Sequence, residues 1–142
     1  MKSYLTKDIR NVGIVGHGGT GKTQLVSSLL YTAGMTPRWG KVVDGSTTTD
    51  WDEEEIARKI SIQTGLSYAE WPATPTTPSG SSERVKINFI DLPGYSTFIT
   101  EAKASLIAPD AALITVDAHV GAQVTTDRAP PGRRAPTRLC QY

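Results

Sequence analysis

The stretch Gly16-His17-Gly18-Gly19-Thr20-Gly21-Lys22-Thr23 decides the fold, because it reads G-x-x-x-x-G-K-[ST]. This pattern is typical of a phosphate-binding loop, in which glycines let backbone N–H groups turn inward around a phosphate chain. Lys22 is then expected to reach the β- and γ-phosphates, and the Thr23 hydroxyl to bind Mg²⁺. The loop therefore predicts a nucleoside triphosphate and Mg²⁺ as ligands.

The sequence on either side of the loop supplies the context that this motif needs. An apolar run of strand type, 11–15, precedes the loop, and apolar residues recur at helical spacing over about 22–33 after it. Gly34 and Pro37 then predict the end of the helix. Strand, loop and helix together favour a nucleotide site over the alternative, a glycine turn in a purely structural βα unit.

Length, composition and charge limit the remaining possibilities. The 142 residues suit a single domain, and no apolar run approaches the length of a membrane-spanning helix. The N-terminus has no secretory signal and Cys140 is the single cysteine, so we expect a cytoplasmic protein with no membrane partner. Residues 1–126 carry 11 Lys and Arg against 13 Asp and Glu, so this region predicts no direct nucleic-acid site.

The region 35–64 lacks clean periodicity and contains an acidic cluster from Asp50 to Glu55. A connection of this length inside a compact domain is typical of a functional or mobile loop. The alternative is a solvated loop with a short acidic helix, and the pattern alone leaves both open.

A second motif, Asp91-Leu92-Pro93-Gly94, follows a strand pattern at 84–90. Strand-like residues 65–71 come before it, and the Pro-, Ser- and Thr-rich 72–82 predicts a flexible hairpin connection between the two. A carboxylate at the end of a buried strand beside a phosphate loop is expected to hold Mg²⁺, usually through water. Gly94 would let a backbone N–H approach the γ-phosphate; an ordinary strand-to-helix turn is the alternative.

Apolar spacing predicts a second helix at about 98–106, and 111–117 reads as a strand that is apolar on both faces. These elements predict an α/β fold of the P-loop nucleoside triphosphatase type. We expect a mainly parallel sheet flanked by helices and truncated at its C-terminus after about four strands.

Three stretches resemble one family, the translational GTPases, and within it bacterial elongation factor G. They are the loop 16–23 with its leading histidine, the stretch 44–62, which is similar to the family's first switch, and 91–98, which is similar to Asp-Thr-Pro-Gly-His-x-Asp-Phe. The resemblance covers 9–126, whereas family members carry several hundred further residues.

The resemblance implies that GTP and GDP bind with Mg²⁺, that GTP is hydrolysed, and that the ribosome is the partner that triggers hydrolysis. Loss of the γ-phosphate would let both the first switch, 44–62, and the second switch, 91–98, relax. The implied metal ligands are Thr23, Ser61 and Asp91, and the implied catalytic residues are Lys22, Gly94 and Tyr95. The implied nucleotide-binding residues are His17, Gly18, Gly19, Thr20, Gly21, Lys22, Thr23, Ser61, Asp91 and Gly94.

Four positions depart from the family pattern. Ser61 replaces a threonine, Lys59 a glycine, Gly19 an acid, and Tyr95 the histidine that positions the attacking water. A tyrosine can hydrogen-bond a water but is a poor base at neutral pH. Because phosphoryl transfer depends mainly on positioning and charge stabilisation, Tyr95 is compatible with hydrolysis, and we interpret it as a subfamily mark.

The composition changes after Arg128. Residues 127–142 carry four Arg and one Asp, and three prolines in eight residues prevent the helix that the family places there. We therefore predict two regions, 1–126 as the N-terminal part of a translational-type G domain and 127–142 as an atypical basic tail. A shifted reading frame explains the tail; a genuine basic tail that contacts RNA is the alternative.

The family's Asn-Lys-x-Asp motif, whose aspartate reads guanine, occurs nowhere in the sequence. Three functions are consequently weighed. The first is GTP binding and hydrolysis as the N-terminal part of an elongation factor G-like translation factor. The second is a P-loop ATPase or kinase of another class, and the third is an inactive fragment without guanine selectivity.

Overall fold

The computed structural model describes residues 3–72 and 84–123, together with the backbone of 138–141. The strands are β1 (Ile9–Gly16), β2 (Gly65–Pro72), β3 (Arg84–Asp91), β4 (Ala111–Val116) and β5 (Arg138–Gln141). The helices are α1 (Lys22–Thr32), α2 (Glu53–Arg58) and α3 (Ile99–Ser105), and short 3₁₀ turns lie at Thr6–Asp8, Val42–Asp44 and Ser96–Phe98.

The five strands form one sheet in the order β2-β3-β1-β4-β5. β1 pairs in parallel with β3 and with β4, β5 pairs in parallel with β4, and only β2 runs antiparallel, beside β3. The predicted mainly parallel sheet is therefore confirmed. The central position of β1 places the loop that follows it in the middle of the carboxyl edge, where open α/β sheets bind ligands.

Successive residues of a strand point to opposite faces of the sheet, so each inner strand supplies apolar side chains to both faces. A helix packs on each face. Ile14 and Phe89 face α1 and pack with its residues Val26 and Leu30. Their chain neighbours, Val15 and Ile90, belong to a second cluster with Leu92, against which Ala102 and Leu106 of the α3 region pack. Full burial of a side chain such as Ile14, Val26 or Phe89 contributes about 1.5–3 kcal/mol, and the partly buried Ala102 and Leu106 contribute less.

The element boundaries differ slightly from the predicted ones. The predicted strand 11–15 extends over Ile9–Gly16, and the second helix begins at Ile99 after a 3₁₀ turn. Arg138–Gln141, inside the predicted basic tail, adds β5 at the edge of β4. Residues 73–83 and 124–137, which hold most of the predicted hairpin connection and most of the predicted tail, lie outside the described residues.

Candidate functional site

The predicted phosphate loop connects the central strand to α1. Two of its residues, Gly19 and Gly21, have φ angles of 84° and 80°. This left-handed backbone is where glycine is favoured, so conformation explains Gly21, which the motif requires, and Gly19, which stands at a variable position of the motif. The turn brings the loop to the N-terminus of α1, whose unpaired N–H groups and dipole favour an anion.

A pair of threonines ties the loop to the sheet. The Thr20 hydroxyl donates to the His17 carbonyl at 2.8 Å and shares a second hydrogen bond of 2.8 Å with the hydroxyl of Thr115 on β4. Because Thr20 donates to His17, Thr115 is the donor of the shared bond, and the Val15 carbonyl at 3.2 Å is the alternative acceptor for its single hydrogen. Thr115 was not predicted as a site residue; a hydroxyl in an otherwise apolar buried strand was the signal for it.

Lys22 is buried at the base of the loop. Its Nζ donates to the His17 carbonyl at 2.8 Å. Burial lowers the pKa of the Lys22 ammonium to about 8, and the charges of Asp91 and Asp50 oppose this effect only in part. A desolvated ammonium that is held by one backbone oxygen is well placed to exchange that oxygen for a phosphate oxygen.

Two hydroxyls and a carboxylate form a short chain beside Lys22. The Ser61 hydroxyl donates to Asp50 Oδ1 at 2.8 Å and lies 2.9 Å from the Thr23 hydroxyl. Burial raises the pKa of Asp50, and the hydrogen bond from Ser61 opposes this. The structure thus brings together Thr23 and Ser61, which the sequence paired only by resemblance, and adds Asp50, which was not predicted as a site residue.

Asp91 lies behind this chain and is 1% exposed. The Thr49 hydroxyl donates to its Oδ2 at 3.0 Å, whereas Oδ1 has no hydrogen-bond partner among the described protein atoms. Burial raises the pKa of the Asp91 carboxyl to about 6. A buried acceptor oxygen without a partner is a position where a cation or a water that binds a cation is expected.

The Asp91-to-Tyr95 turn closes over the loop. The Gly18 N–H donates to the Gly94 carbonyl at 3.0 Å. A side chain on Gly94 would collide with Lys22 Nζ and would lie 2.7 Å from the Gly16 carbonyl oxygen, so this close approach requires glycine. The Tyr95 ring lies 6.2 Å from the His17 ring and is partly exposed.

A cavity of about 190 Å³ lies among these groups. The phosphate loop and α1 contribute Gly18, Gly19, Gly21, Lys22, Thr23 and Gln24, the connection 35–64 contributes Val42, Asp50, Lys59 and Ser61, and the turn after β3 contributes Gly94 and Tyr95. Three residues predicted for the site, His17, Thr20 and Asp91, are not among the lining residues.

Glu55 fixes the connection that carries Ser61. Its Oε1 accepts hydrogen bonds from the N–H groups of Ile62 and Gln63, both at 2.9 Å, and its Oε2 accepts from Asp52 N at 3.3 Å. Glu55 is buried although it belongs to the acidic cluster. The sequence left open that this region is a solvated loop with a short acidic helix. That interpretation describes α2 only in part, because the Glu55 carboxylate points inward and binds the backbone just after Ser61.

Lys59 ends α2 in a strained conformation. Its φ is 57°, which makes it the one non-glycine residue with a positive φ among those described. The predicted departure from a family glycine thus falls where the backbone itself favours glycine.

The residues of the site also bear on the metal prediction. No group of three or more His, Cys, Asp and Glu side chains with metal-site geometry occurs in the described ranges. Mg²⁺ bound by two hydroxyls, phosphate oxygens and water does not need such a group.

Among the helices of the described residues, none combines the length and the apolar composition that spanning a membrane requires.

Comparison with known proteins places this geometry in a family. Residues 7–130 match the model of the elongation factor Tu GTP binding domain. Elongation factor G from Jannaschia sp. is 34% identical over 126 residues, which are 89% of this chain and 18% of that protein. The tetracycline resistance protein TetO of Campylobacter jejuni is 40% identical over 118 residues, or 83% of this chain and 17% of that protein.

A solved structure shows the same fold. A crystal structure of a Thermus thermophilus protein matches with a TM-score of 0.71 and 38% sequence identity, over 84% of this chain and 16% of that one. This chain spans less than a fifth of the length of these relatives. Its fold is the P-loop GTPase fold, and the chain belongs to the translational GTPases that carry the elongation factor Tu GTP-binding domain.

Proposed function

We propose that this chain binds GTP and GDP with Mg²⁺ and hydrolyses GTP to GDP and phosphate. In this proposal it is the N-terminal part of an elongation factor G-like translation factor. The observation that supports this most strongly is the convergence of Lys22, the Thr23–Ser61–Asp50 chain and the Gly94 carbonyl on one cavity at the phosphate loop.

Triphosphate binding would exchange internal hydrogen bonds for bonds to phosphate. The Lys22 ammonium would leave the His17 carbonyl for the β- and γ-phosphate oxygens. The Gly18 N–H, which donates to the Gly94 carbonyl, would also become available to a phosphate. Breaking the Gly18–Gly94 bond is a route by which the γ-phosphate would be sensed by the turn that carries Gly94 and Tyr95.

The charge of the site supports a divalent cation. Asp50 and Asp91 are both buried beside the position proposed for the phosphates, and burial raises the pKa of each carboxyl. Without a cation, these carboxylates would repel a triphosphate. The Thr23 and Ser61 hydroxyls would bind Mg²⁺ directly and Asp91 through water, and bound Mg²⁺ would neutralise charge on the β- and γ-phosphates.

Tyr95 is proposed to orient the attacking water. Its ring lies at the mouth of the cavity, and a phenol hydroxyl can donate to or accept from a water without removing its proton. The role assigned to Tyr95 is therefore positioning, which suits a reaction that depends on alignment and on charge stabilisation.

The partner and the compartment follow from the family alone. The relatives include proteins named elongation factor G, which supports the ribosome as the partner and the cytoplasm as the location. The regions 1–126 and 127–142 remain proposed as a partial G domain and an atypical tail. DNA sequence across codons 126–135 tests the frameshift, because a shifted frame should encode Asn-Lys-x-Asp downstream.

A titration of the 142-residue chain with a fluorescent GTP analogue tests the nucleotide proposal. We expect Lys22→Met to weaken binding at least about 100-fold, because the buried ammonium contact to phosphate is lost. The matched control is Lys103→Met, which removes an exposed lysine of α3 and should bind like the native chain. Equal loss in both variants would refute the assigned site.

Competition with unlabelled ATP decides among the alternatives. Preference for GTP supports the proposed GTPase, and preference for ATP supports a P-loop ATPase of another class. The absence of Asn-Lys-x-Asp from the sequence favours the remaining candidate function, an inactive fragment without guanine selectivity. Equal competition by both nucleotides together with no phosphate release would establish that candidate.

A further inference from the structure

Gly18 differs from the neighbouring glycines of the phosphate loop. Gly19 and Gly21 have left-handed φ angles, whereas the φ of Gly18 lies outside the left-handed region. The left-handed backbone that favours glycine at positions 19 and 21 is therefore not the reason for glycine at position 18. The reason for glycine here must be sought in the space around it.

The ring of Tyr95 fills that space. A Cβ on Gly18 would lie 2.5 Å from Cζ, 2.6 Å from Cε2 and 2.7 Å from Cε1 of this ring. Ordinary carbon–carbon contacts are about 3.5–4.0 Å, so the ring and a methyl group cannot occupy these positions together. The atoms concerned are those nearest the phenol oxygen, which means that the hydroxyl end of the ring rests on Gly18.

The backbone next to the ring is tied to Gly18, whereas the ring itself is partly exposed and can rotate to relieve a clash. The Gly18 N–H donates to the carbonyl of Gly94, the residue directly before Tyr95, at 3.0 Å. Gly94 itself is packed against Lys22 Nζ and the backbone of the loop. The backbone directly before Tyr95 is thus hydrogen-bonded to Gly18, the same residue that the hydroxyl end of the Tyr95 ring contacts.

We propose that Gly18 positions Tyr95, and that the two residues work as one unit. The ring packs against the Cα of Gly18, which carries no side chain. This contact holds the phenol hydroxyl at the mouth of the phosphate cavity. This inference rests on the proposed nucleotide site, to which it adds the residue that positions Tyr95. Gly18 acts through Tyr95 and is a positioning residue.

A double-mutant cycle on the 142-residue chain tests the pair. The variants are Gly18→Ala, Tyr95→Ala and their combination, and Tyr31→Ala is the matched control because Tyr31 is an exposed tyrosine of α1. We expect Gly18→Ala to weaken binding of a fluorescent GTP analogue about tenfold in the native and Tyr31→Ala backgrounds. In the Tyr95→Ala background, where the space is empty, we expect a change of no more than about twofold.

A second readout does not depend on nucleotide binding. In protein labelled with 3-fluorotyrosine, the ¹⁹F resonance that disappears in Tyr95→Ala belongs to Tyr95. We expect Gly18→Ala to shift this resonance in the nucleotide-free chain and to leave the Tyr31 resonance in place. If the chain binds no nucleotide, the proposed function fails while this measurement still decides on the pair.

Three results would overturn the pairing. The first is an unmoved Tyr95 resonance in Gly18→Ala, and the second is an equal loss of affinity in all backgrounds. The third applies if Gly18→Ala unfolds the chain. In that case the proposal requires the double variant with Tyr95→Ala to recover cooperative thermal unfolding. Failure of the double variant to recover it would refute the pairing.

Discussion

Replacing Glu55 by alanine is expected to release the segment that carries Ser61. Glu55 Oε1 accepts hydrogen bonds from the N–H groups of Ile62 and Gln63 at 2.9 Å. Its other oxygen closes the capping box with Asp52 at the start of α2. The variant therefore leaves these backbone donors without their acceptor at a partly buried position.

The magnitude follows from the number and type of the bonds. A hydrogen bond to a charged acceptor contributes about 1.5–3 kcal/mol, and the two 2.9 Å bonds are of this type. The variant also removes the cost of burying the Glu55 carboxylate, which is 1% exposed in the folded chain, and this gain offsets part of the lost hydrogen-bond energy. We expect a net loss of about 3 kcal/mol in the free energy of local opening, which corresponds to about a 100-fold faster amide exchange.

Hydrogen exchange of the Ile62 and Gln63 amides, followed by NMR, is the direct assay. The amide of Leu30 in α1 is an internal reference that should keep its protection. Glu53→Ala is the matched control, because Glu53 lies in the same first turn of α2 but is exposed. Exchange at Ile62 and Gln63 that is no faster in Glu55→Ala than in Glu53→Ala would refute the role assigned to Glu55.

Three further predictions concern the site. Asp91→Asn should stabilise the nucleotide-free chain by about 2 kcal/mol at pH 7.5 in urea unfolding, because burial raises the Asp91 pKa to about 6. The folded native chain then binds more protons between pH ~4 and ~6 and loses stability as the pH rises, so a gain that persisted at pH 4 would contradict this. Ser61→Ala should raise the Mg²⁺ concentration needed for nucleotide binding at least about tenfold, whereas Ser61→Thr keeps the hydroxyl and should match the native chain. Lys59→Gly should raise the unfolding free energy by about 1 kcal/mol, because its φ is 57°; an unchanged urea midpoint would argue against strain there.

The parts of the site that could be predicted from the sequence lie at the ends of regular elements. Lys22 begins α1 directly after the loop, and Asp91 ends β3. β1 and β3 pair in parallel with Ile14 beside Asp91, so the carboxylate reaches the same edge as the loop. Parallel strands bring their carboxyl ends together, which is why two motifs far apart in the sequence could be assigned to one place.

The connection 35–64 could not be predicted in the same way. Asp50 and Thr49 come from an irregular segment without apolar periodicity, so no pattern indicated which of its side chains point inward. Glu55 is one of three consecutive glutamates, and only its helical position and the capping box distinguish it from Glu53 and Glu54. The roles of the site residues, as distinct from their positions, remain predictions.

The structural reasons for the glycines of the phosphate loop could also be predicted only in part from the sequence. The left-handed backbone angles account for Gly21, which the motif specifies, and for Gly19, which the motif leaves open. For Gly18 the cause is the Tyr95 ring, which lies more than 70 positions away in the sequence and reaches the loop only after β3 has paired with β1. A glycine that exists because of a distant neighbour leaves no local signal.

The central position of β1 has a consequence for how the chain folds. The residues with which it pairs lie roughly 80 and 100 positions later, in β3 and β4. Both loop closures must be made before β1 gains neighbours on its two sides, so this strand is expected to order late and slowly. During synthesis the phosphate loop would leave the ribosome early and wait unstructured for most of the chain to follow. The gain of nucleotide binding in a refolding experiment would then report the pairing of β1 with β3 and β4, and not the formation of β1 alone.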